Sequence, residues 1–128
     1  NTRGGAGIGF GQQSKGNIDI NLSNIDNLKI NSQTGAGIGT GSFSGSDSIT
    51  KVKFNANLEN VSSDIYSLYG AGIGMANCSY STEAFNLKIK DSDLFLDSVW
   101  ASGLGAGRST GTSDSLSGKI IIDGGNIL

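Results

Sequence analysis

Histidine and proline are absent from this 128-residue chain, and cysteine, methionine and tryptophan occur once each. Without histidine, the commonest general base and the usual activator of a serine or cysteine nucleophile are missing. The lone Cys78 allows no internal disulfide and says nothing of compartment. Its setting, "MANCSYST" (75–82), offers no cationic neighbour to activate a thiolate, so it is expected to be a small filler or loop thiol. Charge is also sparse, with 9 basic and 11 acidic residues scattered evenly for a formal net charge of −2. Such a chain has no electrostatic footprint for nucleic acid or anionic lipid. No run approaches the roughly 18 apolar residues of a membrane span, so membrane insertion is not expected. The Asn-Thr-Arg start has neither an initiator Met nor an apolar signal core, and the chain is expected to be processed or cut from a longer one.

What is abundant is glycine, 21 residues of it, with Ser, Thr and Asn between short apolar runs and an apolar share of 36%, below the usual globular value. The pentamer "GAGIG" occurs three times, carrying Gly5, Gly7 and Gly9, then Gly35, Gly37 and Gly39, then Gly70, Gly72 and Gly74. An altered fourth copy, "GLGAG", carries Gly103, Gly105 and Gly107. The first glycines are separated by 30, 35 and 33 residues. A glycine loop for a nucleotide occurs once, between a strand and a helix, with an acidic residue about 20 positions on. Recurrence at a fixed period, with no helical periodicity following, argues for packing instead. In the fourth copy Leu104 and Ala106 replace Ala and Ile, an exchange of large and small that suits neighbours in a core.

Between the pentamers lies a second unit of the form apolar, x, apolar, four residues, apolar. Its copies are Ile18, Ile20, Ile25; Phe54, Ala56, Val61; Leu87, Ile89, Leu94; and Ile120, Ile122, Ile127. The period-2 pair is a strand with one buried face, and the gap is a corner. The residue before each third apolar position is Asn24, Asn60, Asp93 or Asn126. Asn and Asp tolerate the left-handed conformation, so these four are expected to stack as an amide ladder at a turn. A third strand per repeat is expected in "NLKINS" (27–32), "DIYSLY" (64–69) and "LFLDSVWA" (94–101). The expected fold is therefore all-β, a parallel β-helix of about four coils (4–34, 35–69, 70–102 and 103–128) with three short strands per coil. Inward Ala and Ile of the pentamers fill the interior, and glycines let backbones approach at a curved wall.

The GAGIG pentamers alternating with short "x-I-x-I" strands resemble secreted or surface-anchored bacterial repeat proteins that form right-handed parallel β-helices. The resemblance implies an extracellular or cell-surface setting and a scaffold used in adhesins and carbohydrate-binding modules. The right hand is taken from this resemblance and from the general preference of parallel crossovers.

Candidate sites follow from the remaining side chains. With Leu68 and Ala101 turned inward, alternation places Ser67, Tyr69 and Trp100 outward on adjacent coils, where Tyr69 and Trp100 are expected either to form a platform for stacking a sugar ring or to be partly buried under a neighbouring loop. Phe43 and Tyr80 lie in the variable loops "TGSFSGSDSITK" (40–51) and "MANCSYSTEA" (75–84), the usual place for recognition on a rigid scaffold. The densest acidic group is "DSDLFLD", in which Asp91 and Asp93 at a corner can share a calcium ion with backbone carbonyls. The competing reading makes Asp93 a ladder residue with solvated neighbours and no cofactor. The sequence places no basic residue beside this group as a lyase base, which leaves Lys88, Lys90 and Arg108 as the remaining cations for such a mechanism. The threonines do not fall at one register, which disfavours an ice-binding wall.

The segment "KIIIDGGNIL" (119–128) is apolar and uncapped, and the first coil begins directly at its pentamer. Both ends are expected to be open, stacking on further coils or head to tail on other copies. The reading favoured by the sequence is a non-enzymatic, extracellular structural or adhesive element that binds polysaccharide. The alternative is a calcium-dependent enzyme acting on polysaccharide.

Overall fold

The computed structural model describes residues 1–128 apart from 13, 15, 43–49, 77–79, 106 and 108–117, and the backbone alone of 50–51 and 80–84. Short and long strands alternate: β1 (Ile8–Gly9), β2 (Gly16–Ser32), β3 (Ile38–Gly39), β4 (Thr50–Ser67), β5 (Ile73–Gly74), β6 (Tyr80–Ser98), β7 (Leu104–Gly105) and β8 (Gly118–Ile127). The short strands form one sheet in the order β1-β3-β5-β7 and the long strands another in the order β2-β4-β6-β8. All pairings are parallel. The chain thus returns to each sheet one strand further along at every repeat, an all-β arrangement compatible with a β-solenoid. Among the described residues no helix is long and apolar enough to cross a membrane.

Parallel in-register pairing stacks each inward side chain on its equivalent one strand away, at about 4.8 Å. Four apolar columns result on the first arm of the long sheet. They are Ile18–Phe54–Phe85, Ile20–Ala56–Leu87–Ile120, Leu22–Leu58–Ile89–Ile122 and, at the corner, Ile25–Val61. Phe54 and Phe85 stack with ring centroids 5.2 Å apart and planes within 14°, and both are fully buried. The expected second and third strands are one continuous ladder here, turned at residues with left-handed backbone: Asn24, Asn60, Asp91 and Gly124. β2 carries one extra residue at this corner, between Ile25 and Leu28, where Asn27 also has positive φ. The corner costs Val61 a ladder partner for its N–H, and the buried hydroxyl of Ser92 accepts that bond at 3.0 Å.

The apolar pattern places the third and fourth units two residues away from the observed register. Phe54 stands beside Phe85, not Leu87, and Ala56 beside Leu87. The expected ladder of Asn24, Asn60, Asp93 and Asn126 is accordingly two ladders. Asn60 Nδ2 donates to Asn24 Oδ1 at 2.9 Å in one column. In the other, two positions on, the side-chain and backbone N–H groups of Asn126 donate to Asp93 Oδ1 at 2.7 and 3.1 Å. The fourth pentamer shifts likewise: Leu104 pairs with Ile73 and Gly105 with Gly74. Leu104 therefore continues the isoleucine column Ile8–Ile38–Ile73, and no exchange of large and small takes place.

The pentamers build a wall in which most of their glycines leave no room for a side chain, Gly5 and Gly103 being the exceptions. Ala36, Ile38, Ala71 and Ile73 are completely buried. A Cβ on Gly39, whose φ is 142°, would run into the carbonyl oxygen of Gly74 on the next strand. Each of the three GAGIG pentamers is also closed by a turn bond, with Ala6, Ala36 and Ala71 donating to the carbonyls of Phe10, Thr40 and Met75 at 2.9–3.0 Å.

Outward positions form polar columns. Asn55 Nδ2 donates to Asp19 Oδ1 at 2.7 Å, and Asn86 Nδ2 to Asn55 Oδ1 at 3.0 Å. Lys90 Nζ donates to Glu59 Oε1 at 2.7 Å. This bond, and then the lysine's charge, hold the Glu59 carboxyl below its ordinary value, and the same pairing raises Lys90.

Phe85→Ala removes half of the stacked pair from a fully buried column, and a loss of about 3–5 kcal/mol in denaturant unfolding is expected. Ser63 Oγ is buried without a hydrogen-bond partner among the described residues, in a column with Leu28, Leu94 and Ile127. Ser63→Ala is expected to raise stability by about 1 kcal/mol in the same measurement. The Glu59 contribution is present above its unfolded pKa and fades as pH falls through the lowered folded value. The Lys90 contribution is present below its unfolded pKa and fades as pH rises through the raised one. Lys90→Met is therefore expected to differ from the parent most near neutrality, in low salt, and to converge with it in acid.

Candidate functional site

Beyond the corner, the second arm of the long sheet turns alternate residues to solvent. Ile30 and Ile65 are buried, and that phase sends Asp64 and Tyr66 of β4, and Phe95 and Asp97 of β6, outward. Asp64 lies beside Phe95 and Tyr66 beside Asp97, so the two rings are diagonal neighbours, each next to a carboxylate. The parallel ladder continues past the strand ends. Tyr69 N–H donates to the Gln33 carbonyl at 2.9 Å, and Trp100 N–H to the Leu68 carbonyl at 3.1 Å. Thr34, Tyr69 and Trp100 consequently occupy one column, with the last two on adjacent strands as the sequence suggests. Trp100 is 59% exposed, Phe95 51%, and Tyr69 half-buried.

Ser67 is not part of this face. It is completely buried and donates to the Gly35 carbonyl at 3.2 Å, alongside Ser32, which donates to the same oxygen at 2.6 Å. Leu68 and Ala101 are half-buried, so neither sets the inward phase. That phase comes from Ile65, two residues before Ser67. Phe95 and Tyr66 are the aromatic residues that sequence reasoning missed. Counting in twos from Ile65 and Leu94 was the signal that could have found them.

The acidic pair stands at the corner of the long sheet. Asp91 holds a left-handed backbone with φ of 46°, and Asp93, in the neighbouring outward column, accepts both bonds from Asn126. Among the described residues no group of three or more His, Cys, Asp or Glu is gathered around one point. Lys88 is exposed on the outer face, and Lys90 is engaged by Glu59. Phe43, Cys78 and Arg108 lie outside the described residues, as does the side chain of Tyr80.

A second feature without a counterpart in the sequence reading is a shallow trough on the first arm. It runs between the column Asp19–Asn55–Asn86–Lys119 and the column Asn21–Asn57–Lys88–Ile121. Amide, carboxylate and ammonium groups recur along it at the strand spacing of about 4.8 Å. Such groups both donate to and accept from hydroxyls. The sequence signal is a polar residue on either side of each inward apolar one, in "DIN", "NAN" and "NLK".

No family model, no curated protein and no solved structure matches the chain.

Proposed function

We propose that the chain is a non-enzymatic structural and adhesive element of an extracellular surface or fibre protein that binds polysaccharide. In this reading the two parallel sheets are walls of a right-handed parallel β-helix of about four coils, the hand following the general rule for parallel crossovers. The extracellular setting rests on the resemblance carried by the repeated pentamers. The observation that carries the binding reading is the exposed aromatic face of the second arm. Trp100 and Phe95 are more than half exposed on backbone held by parallel ladder bonds, and Phe95 lies beside Asp64 as Tyr66 lies beside Asp97. Rigid aromatic faces supply stacking area at low entropic cost, and carboxylates accept from sugar hydroxyls. Thr34 and Tyr69 extend the column below Trp100. The trough on the first arm offers amide and ammonium groups without aromatic surface, which places it second as a glycan site.

Trp100→Ala is expected to reduce retention of the protein on immobilised polysaccharides about tenfold, with unchanged unfolding, as loss of one stacked ring implies. Retention unaffected by Trp100→Ala but lost in an Asn57→Ala/Lys88→Ala variant would move the site to the trough. Calcium-dependent release of unsaturated sugars, abolished by Asp91→Asn/Asp93→Asn, would replace this reading with the enzymatic one.

A further inference from the structure

The two ends of the long sheet complement each other. At one end, β8 leaves Ile120 and Ile122 42% and 52% exposed although both stand in core columns. At the other, Ile18, Leu22, Ile25 and Leu28 of β2 are only partly buried. We propose that copies of this chain stack head to tail, with β2 of one copy pairing parallel and in register with β8 of the copy before it. The proposal deepens the structural reading by naming the partner and the register.

Continuing the observed columns across such a junction sets Ile20 of the next copy on Ile120, Leu22 on Ile122 and Leu28 on Ile127. These three inward matches are apolar, and Ile18 falls on Gly118. Outward, the column Asp19–Asn55–Asn86–Lys119 repeats, so Lys119 of one copy lies beside Asp19 of the next. Ser23 likewise follows Asp123, a hydroxyl beside a carboxylate, and the first arm brings no like charges together.

The ends are also staggered in a matching way. Residues 2 and 3 lie under the second arm of β2: Thr2 N–H donates to the Asn31 carbonyl, and Gln33 and Thr34 donate to the carbonyls of Thr2 and Arg3. At the far end Leu128 pairs beside Phe95, bonded to Leu94 and Leu96. Val99 and Trp100 beyond it are 49% and 59% exposed. In the stack, Thr2 of the next copy falls on Ser98, in the column Thr2–Ser32–Ser67–Ser98. Thr2 Oγ1 already donates to Ser32 Oγ at 3.2 Å, and Ser98 Oγ is buried without a partner among the described residues. The junction would give that hydroxyl a neighbour able to bond it.

A two-fold pairing of β8 with its own copy fits less well. The strand is turned at Gly124 and Gly125, with φ of 77° and 82°, and an antiparallel copy paired along the whole strand would put its own turn opposite the straight first arm. Parallel stacking superimposes that turn on the one at Asn24. It also sets Ile8 of the next copy on Leu104 in the short sheet, so both sheets continue together.

The test is assembly of the 128-residue chain and its charge variants, followed by light scattering over a concentration series at low ionic strength and by electron microscopy. The parent is expected to form unbranched fibres with an axial repeat of roughly 19 Å, four strand spacings. Asp19→Lys and Lys119→Glu, each placing like charges at the junction, are expected to raise the concentration needed for assembly roughly three- to tenfold. The double variant is expected to assemble like the parent. An equimolar mixture of the two single variants is expected to do the same, because each meets its opposite only in the other. A parent that stays monomeric, stops at a dimer, or is indifferent to the single substitutions would overturn the proposal. Glycan retention by a monomeric parent would leave the function proposed above standing, so the two readings fail separately.

Discussion

Strands paired parallel and in register at about 4.8 Å impose one rule on every position of this protein: a side chain must tolerate its own equivalents directly above and below it. Inward, the rule yields columns of Ile, Leu, Val and Phe, and in one of them Phe54 and Phe85 stack face to face. Outward, it favours groups that bond to their own kind. An amide satisfies this by donating with Nδ2 and accepting with Oδ1, as Asn86 to Asn55 and Asn60 to Asn24 do. A charged residue can repeat only by alternating sign, as Lys90 does above Glu59. The abundance of Asn and the scarcity of charge are thus two expressions of one geometry.

The same rule explains the glycines. Where two backbones approach too closely for any Cβ, the residue must be Gly on every strand, as at Gly39 against Gly74. A pentamer recurring three times is what the rule demands of such a wall. A phosphate loop, which acts once, has no reason to recur.

Much of the architecture was legible in the sequence because the rule writes itself as repetition: all-β, parallel, glycine wall, corner with left-handed Asn. Register was not legible, and the reason is the strand period. A slip of one residue turns every side chain inside out, but a slip of two preserves the face. Leu87 and Ile89 satisfy the pattern of Phe54 and Ala56 as well as Phe85 and Leu87 do, so the apolar spacing could not choose between them. The same ambiguity put Leu104 at an alanine position and joined Asp93 to the Asn60 ladder. Ser67 failed for a related reason: hydrophobicity favoured Leu68 as the inward residue, whereas Ile65 fixes the phase and buries a serine that bonds to the Gly35 carbonyl. Tyr69 and Trp100 nonetheless fall in one column, because that depends on their neighbours along the ladder and not on absolute phase.

An exposed parallel edge is a template for any strand with free N–H and C=O groups, and that lack of selectivity is its hazard. In this protein the edge at β8 is made selective by features that are not part of the ladder. The turn at Gly124 and Gly125 admits only a strand that bends at the same place. The inward isoleucines require an apolar partner at alternate positions, and Lys119 disfavours a cation beside it while Asp123 disfavours an anion. β2 meets these conditions at the turn through Asn24, at the apolar positions through Ile20 and Leu22, and at the charged ones through Asp19 and Ser23. An arbitrary amphipathic strand would meet the second condition alone. Specificity at such an edge therefore resides in the bend and the outward columns, and the apolar interior supplies attraction without discrimination.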